Sequence, residues 1–120
     1  MADWTDPDGL PASDVGFWTL EKHERLRKYV ESAHGARRAF GNRTTYIDLY
    51  CGPGRSRIRE GGEYVDGSPL VAWDAGRKKG DQFAEFLLAD ADIFLLDAAR
   101  TRLQSRGATV RVFHGEAAAV

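Results

Sequence analysis

The sequence predicts an α/β protein built on an open parallel sheet with flanking helices, and three observations predict it. Strand-like and helix-like segments alternate from Tyr46 to Phe113, an order that pairs strands in parallel through crossover helices. The apolar run Tyr46-Ile47-Asp48-Leu49-Tyr50 breaks abruptly into Cys51-Gly52-Pro53-Gly54, as a buried strand does on entering a ligand loop. Each strand also closes on polar residues: Asp48 with the glycine loop, then Asp90, then Gly115-Glu116. Ligands bind open α/β sheets beyond the carboxyl ends of the strands, so these endings are the candidate site.

Residues 1–16 mix Asp3, Asp6, Pro7, Asp8, Gly9, Pro11 and Gly16, which offer turns and little to bury, and an irregular lead-in is expected there. The domain proper is expected over 17–120. From Thr19 the pattern turns helical, with Leu20, His23, Leu26, Tyr29, Val30 and Ala33 at three- and four-residue steps, Thr19 as N-cap and Gly35 as the stop. Lys22 and His23 read as a solvated lysine and a core-flanking histidine. Arg37, Arg38 and Arg43 around Phe40 suit either phosphate contact or a surface connection.

Beyond the glycine loop, an inserted hairpin is expected near 55–67, its strands flanking the turn pair Gly61-Gly62. Arg55, Arg57 and Arg59 lie on it, at the mouth of the site or on a solvated face. The next helix has Ser68 as N-cap, Pro69 at the first helical position and Gly80 as its stop. Phe83 to Ala89 reads as a second buried strand ending in Asp90-Ala91-Asp92. An acid at that point accepts hydrogen bonds from ribose hydroxyls, usually about 20 residues beyond the glycine loop, and the inserted hairpin accounts for the longer step here. Asp90 is preferred to Asp92, which is well placed to cap the following helix, near Ile93 to Arg106. That helix has Leu96, Ala99 and Leu103 as its stripe. Thr109 to Phe113 is the third strand.

Composition narrows the function. The chain has 120 residues and is 42% hydrophobic, enough for one core. Its 17 basic and 18 acidic side chains leave a formal charge of -1, so no global field draws it to nucleic acid or an anionic membrane. The single cysteine, Cys51, excludes an internal disulfide framework and a cysteine-rich zinc site, and a reducing, cytoplasmic setting is the default expectation. No stretch approaches the roughly 20 apolar residues that span a bilayer, and the acidic start is unlike a signal peptide. No metal is implied. A dinucleotide fingerprint would need a third glycine where Arg57 stands, and Asp48 four residues before Gly52 favours a different cofactor.

An acid near the end of a first strand followed by G-x-G resembles motif I of the class I S-adenosylmethionine (SAM) methyltransferases. Asp48 can instead satisfy backbone groups at the loop, and the glycines can simply make a tight turn. A closer resemblance joins Trp18-Thr19, Lys22 and Tyr29, then Tyr46 to Arg55, then Gly67-Ser68-Pro69-Leu70. Over residues 17–117 this is similar to the three-Cys-motif partner protein family, with the glycine loop and Gly-Ser-Pro-Leu its specific part.

That resemblance implies a Rossmann-like, class I methyltransferase-like sheet with SAM as cofactor. It implies cofactor contacts at Asp48, Tyr50, Gly52, Pro53 and Gly54, with Asp90 on the ribose and Glu116 on the adenine amino group. It also implies a separate protein carrying three cysteines as partner, and Cys51 becomes a small filler rather than a nucleophile. Such a sheet usually has seven strands, with the catalytic motif after the fourth, whereas this sequence ends at Val120, just after the third. The expectation is therefore a cofactor-binding portion, inactive alone, with catalytic residues unknown and the strand at Tyr46 left as an edge open to self-association. The alternative is a non-catalytic interaction module.

Overall fold

Two sheets divide the strands of the chain in the computed structural model, which describes residues 4–41 and 43–116. The elements run β1 (Trp4–Thr5), β2 (Pro11–Val15), α1 (Thr19–Ser32), α2 (His34–Ala39), β3 (Thr45–Asp48), β4 (Arg55–Ile58), β5 (Tyr64–Asp66), α3 (Ser68–Lys79), β6 (Glu85–Asp90), α4 (Ile93–Ser105) and β7 (Val110–His114). Strands β3, β6 and β7 form an all-parallel sheet in that order, in the register Asp48 to Leu88 and Asp90 to His114. The other sheet has the order β1-β2-β4-β5. Residues 1–3 and 117–120, the outer ends of the expected lead-in and domain, lie outside the described residues, as does Asn42.

The parallel sheet is α/β in the sense the sequence predicts, with helices against it. Phe86 and Leu88 of β6 pack with Leu70, Ala72 and Ala75 of α3 and Leu96, Ala99 and Leu103 of α4, and Tyr46, Val110 and Val112 close the same cluster. Fully buried leucines and phenylalanines of this kind contribute about 1.5–3 kcal/mol each. Alternate residues point the other way. There Ile47 is 56% exposed and Phe113 39%, so that face stands open at both outer strands. No helix among the described residues is long and apolar enough to cross a membrane.

The lead-in departs most from expectation. Residues 11–15 are a strand rather than an irregular segment, because β2 pairs in parallel with β4, through Ser13 to Ser56 and Val15 to Ile58. Composition could not show this, since the pairing is supplied by residues some 40 positions away. The hairpin of β4 and β5 is thereby built into a sheet of its own.

Helix α1 begins one residue earlier than expected. Trp18 holds the N-cap position without a side-chain hydrogen bond, and Thr19 is already helical. Gly35 does not stop the chain either, for a break at Ala33 is followed at once by α2, in which Gly35 lies. Asp81 anchors that second helix: its carbonyl accepts from Arg37 Nε, and its carboxylate accepts from Arg38 and pairs with His34. Of the expected α1 stripe, Val30 is buried, while Tyr29 is 73% exposed. The helix packs mainly on α3, with Val30 and Leu26 reaching the core cluster.

One guanidinium joins the two halves of the fold. Arg102 of α4, buried, donates from Nε and Nη2 to both oxygens of Asp8 at 2.8 Å and from Nη1 to the carbonyls of Pro11 and Pro53 at 2.7 Å. Beside it Arg55 bridges Asp6 and Asp66, and Arg106 bridges Asp66 and Asp74. The Arg102 hydrogen bonds outweigh burial and hold the Asp8 carboxyl down at about 2, against an ordinary 3.8.

A carboxyl depressed in the folded state adds stability above its unfolded value, and that stability disappears as pH falls through the folded value. Urea midpoints of the parent should therefore drop between about pH 4 and pH 2, with a smaller drop in Asp8→Asn. Arg102→Met should cost about 2 kcal/mol or more at neutral pH, since buried acceptors lose their donor. Equal midpoints for Arg102→Met and parent would remove Arg102 from its joining role.

Candidate functional site

Three chain segments meet at Asp90. Its Oδ2 accepts from the Gly52 backbone N–H at 3.0 Å, its Oδ1 from the N–H of Asp92 at 2.9 Å, and its carbonyl from the N–H of Gly115 at 3.1 Å. The loop after β3, the turn after β6 and the exit from β7 are thus gathered at one end of the parallel sheet, where its carboxyl ends lie. Cys51 N–H also donates to the Ala89 carbonyl, which carries the ladder one step past β3.

Asp48 is the last residue of β3, two residues earlier than the apolar run Tyr46 to Tyr50 implies. Its own side chain ends the strand: Oδ1 accepts from the Tyr50 N–H at 3.2 Å, an Asx turn that bends the chain away. Asp48 Oδ2 accepts from Ser68 Oγ at 2.5 Å and from the Tyr46 hydroxyl at 3.2 Å. Asp90 and Asp92 repeat the same local device, and Asp92 caps α4 through the N–H groups of Phe94 and Leu95.

The glycine loop divides in two. Gly52 has a φ of +59° and presents its N–H to Asp90, so its left-handed turn is what aims the loop at the second strand. Pro53 and Gly54 face inward. Pro53 is fully buried with its carbonyl on Arg102, and a Cβ on Gly54 would lie 3.4 Å from the Ala99 backbone at a φ of +86°. Both residues pack the loop on α4. Cys51 is buried in the core, and burial pushes its thiol far above the ordinary range, leaving a small apolar filler.

Tyr50 is 79% exposed beside the loop, and Glu116 is exposed just beyond Gly115. The carboxyl end of the sheet, the candidate mouth, therefore carries acceptors: carboxylates at Asp48 and Asp90, with Tyr50 and Glu116 exposed on the segments that follow β3 and β7. The nearby arginines are turned to other work. Arg55 serves Asp6 and Asp66, Arg57 lies 3.9 Å over the Trp4 ring, and Arg59 pairs with Asp14. Arg37 and Arg38 belong to Asp81, and Arg43 donates to the Phe40 carbonyl. His23 of α1 is half-buried, with burial lowering its pKa, and lies outside the site.

Sequence patterning missed Ser13 and misassigned Ser68. Ser13 of β2 places its Oγ 3.6 Å from where a Gly52 side chain would begin, so the lead-in flanks the loop. Ser68 is inside α3 rather than its cap, a position Gly67 takes, and its hydroxyl spans 20 residues to Asp48. Tyr46 alone carried a local signal, since it shares a strand face with Asp48 at a two-residue step. A cavity of about 340 Å³ lies instead at the opposite end of the sheet, against Phe83, Ala84 and Thr109, remote from the acids.

Asp92→Ala should lower stability by about 1 kcal/mol through loss of the α4 cap, with Asp92→Ser recovering most of it in urea denaturation. An unchanged midpoint in Asp92→Ala would show the cap to be idle.

No protein family, curated protein or solved structure matches the chain in the comparisons made, so its chemistry is argued from its own side chains.

Proposed function

We propose that the chain is the SAM-binding portion of a methyltransferase with a Rossmann-like sheet, of the three-Cys-motif partner type. The observation that carries this reading is the acceptor-rich mouth. The Gly52 N–H, which in a phosphate loop would face an anion, donates to Asp90, and carboxylates stand at the ends of adjacent strands. Such a mouth repels phosphate and suits a ligand with an ammonium and vicinal hydroxyls. A carboxylate has about four lone-pair sites, so both acids retain acceptor capacity after their backbone bonds.

In this reading Asp48 faces the ammonium, Asp90 the ribose, Glu116 the adenine amino group, and Tyr50 and Gly52 the body of the ligand. The bound cofactor would supply an electrophilic methyl group on sulfonium. No residue of the chain is assigned as catalyst, and the isolated chain is expected to bind without transferring.

Calorimetry with S-adenosylhomocysteine tests the reading. The parent should bind, and Asp90→Asn, which keeps one acceptor for the backbone, should bind about tenfold or more weakly because a charge-assisted bond is lost. A folded parent that does not bind would overturn it.

A second reading, an interaction module for a three-cysteine protein or a second copy of this chain, is favoured by the β3 edge. Thr45–Asp48 has a partner only on its β6 side among the described residues, and its outer edge carries neither lysine nor proline. Unprotected edges of this kind template pairing with another chain. Sedimentation should show concentration-dependent self-association that Ile47→Lys reduces; a monomer throughout the concentration range would count against pairing through this edge.

A further inference from the structure

We infer that Ser68 and Tyr46 are positioning residues that aim the Asp48 carboxylate at a cationic ammonium group of the ligand; the inference rests on the SAM-binding reading and deepens it. The terminal torsion of an aspartate is broad and roughly two-fold, so an unassisted carboxylate has no fixed aim. Here two hydroxyls converge on one oxygen. Ser68 Oγ donates to Asp48 Oδ2 at 2.5 Å, within the range of charge-assisted O–H···O⁻ bonds, and the Tyr46 hydroxyl donates to the same atom at 3.2 Å. Among the described residues Oδ1 receives only the Tyr50 N–H, at 3.2 Å, at the start of the loop. The oxygen on the loop side therefore keeps its acceptor capacity while its twin is held.

Each donor is itself fixed. Tyr46 packs against Phe83 and Phe86 at ring separations of 5.6 and 5.5 Å. Burial, reinforced by the Asp48 charge, raises its pKa, so the phenol stays protonated and donates. Ser68 is placed by the start of α3, which is docked on the glycine loop: the Gly67 N–H donates to the Gly54 carbonyl at 2.7 Å, and a Cβ on Gly67 would stand 3.0 Å from that oxygen. Gly67 holds the N-cap position and no side chain caps α3, so the Ser68 hydroxyl is free of that local duty and reaches Asp48.

If this bond served only to dock α3, its loss would weaken every ligand of the loop alike. If it aims Asp48, its loss must fall on ligands that carry an ammonium. Two probes differ in that respect: S-adenosylhomocysteine has the amino-acid arm, and methylthioadenosine has the same nucleoside without it. In calorimetry Ser68→Ala should weaken S-adenosylhomocysteine about tenfold and leave methylthioadenosine within about twofold of the parent. Tyr46→Phe should act in the same sense, and Ser68→Thr should restore binding. Equal losses for both probes, or none, would overturn the positioning role while leaving the SAM-binding reading in place. Failure of the folded parent to bind S-adenosylhomocysteine would overturn both.

Discussion

The fold depends on the burial of one cation. Arg102 reaches out of α4 to the Asp8 carboxylate, the Pro11 carbonyl and the Pro53 carbonyl, so two segments distant from α4 in sequence share one guanidinium. A charge taken out of water needs partners of excellent geometry, and the planar fork of arginine can satisfy several at once where lysine could not. The glycine loop is consequently held from two sides. Arg102 and Ala99 fix its second half from α4, while Asp90 fixes Gly52 from β6.

Elements specified by neighbouring residues were legible in the sequence. Helix α3 was marked by Pro69 and Gly80, and α4 by Asp92 and the Leu96, Ala99, Leu103 stripe; the structure shows Gly80 left-handed, Asp92 capping, and those three residues fully buried. Elements specified by a remote partner were not. Pro11–Val15 has the composition of a turn and becomes a strand only because β4 lies beside it. Gly35 looks like a stop, yet the chain rewinds there because Asp81 holds Arg37, Arg38 and His34 together. Periodicity likewise marked Leu20 and Tyr29 for burial, since it records amphipathicity without recording whether a partner surface exists.

The candidate site shows the same boundary. The acids at strand ends could be read from pattern alone, and Asp48, Asp90 and the approach to Glu116 do gather at one end of the sheet. What pattern could not apportion was the work each residue does. Pro53 and Gly54 belong to the same motif as Gly52 but face α4. Asp48 and Asp90 both hold loop backbone, which was the plainer of the two roles open to an acid at that position, and this leaves their remaining acceptor sites directed rather than absent. Ser68 lay hidden because a hairpin separates it from its partner.

The bond between Asp8 and Arg102 spans 94 positions, and this sets an order of events during synthesis. A chain emerging from the ribosome offers its lead-in long before α4 exists, and β2 finds β4 only after the glycine loop has been made. Strand β2 can pair with β4 before α4 exists, but Asp8 and Pro11 stay without their donor until α4 has been made. Only when α4 arrives can Arg102 tie this segment to the loop, so residues 8–11 are among the last to settle.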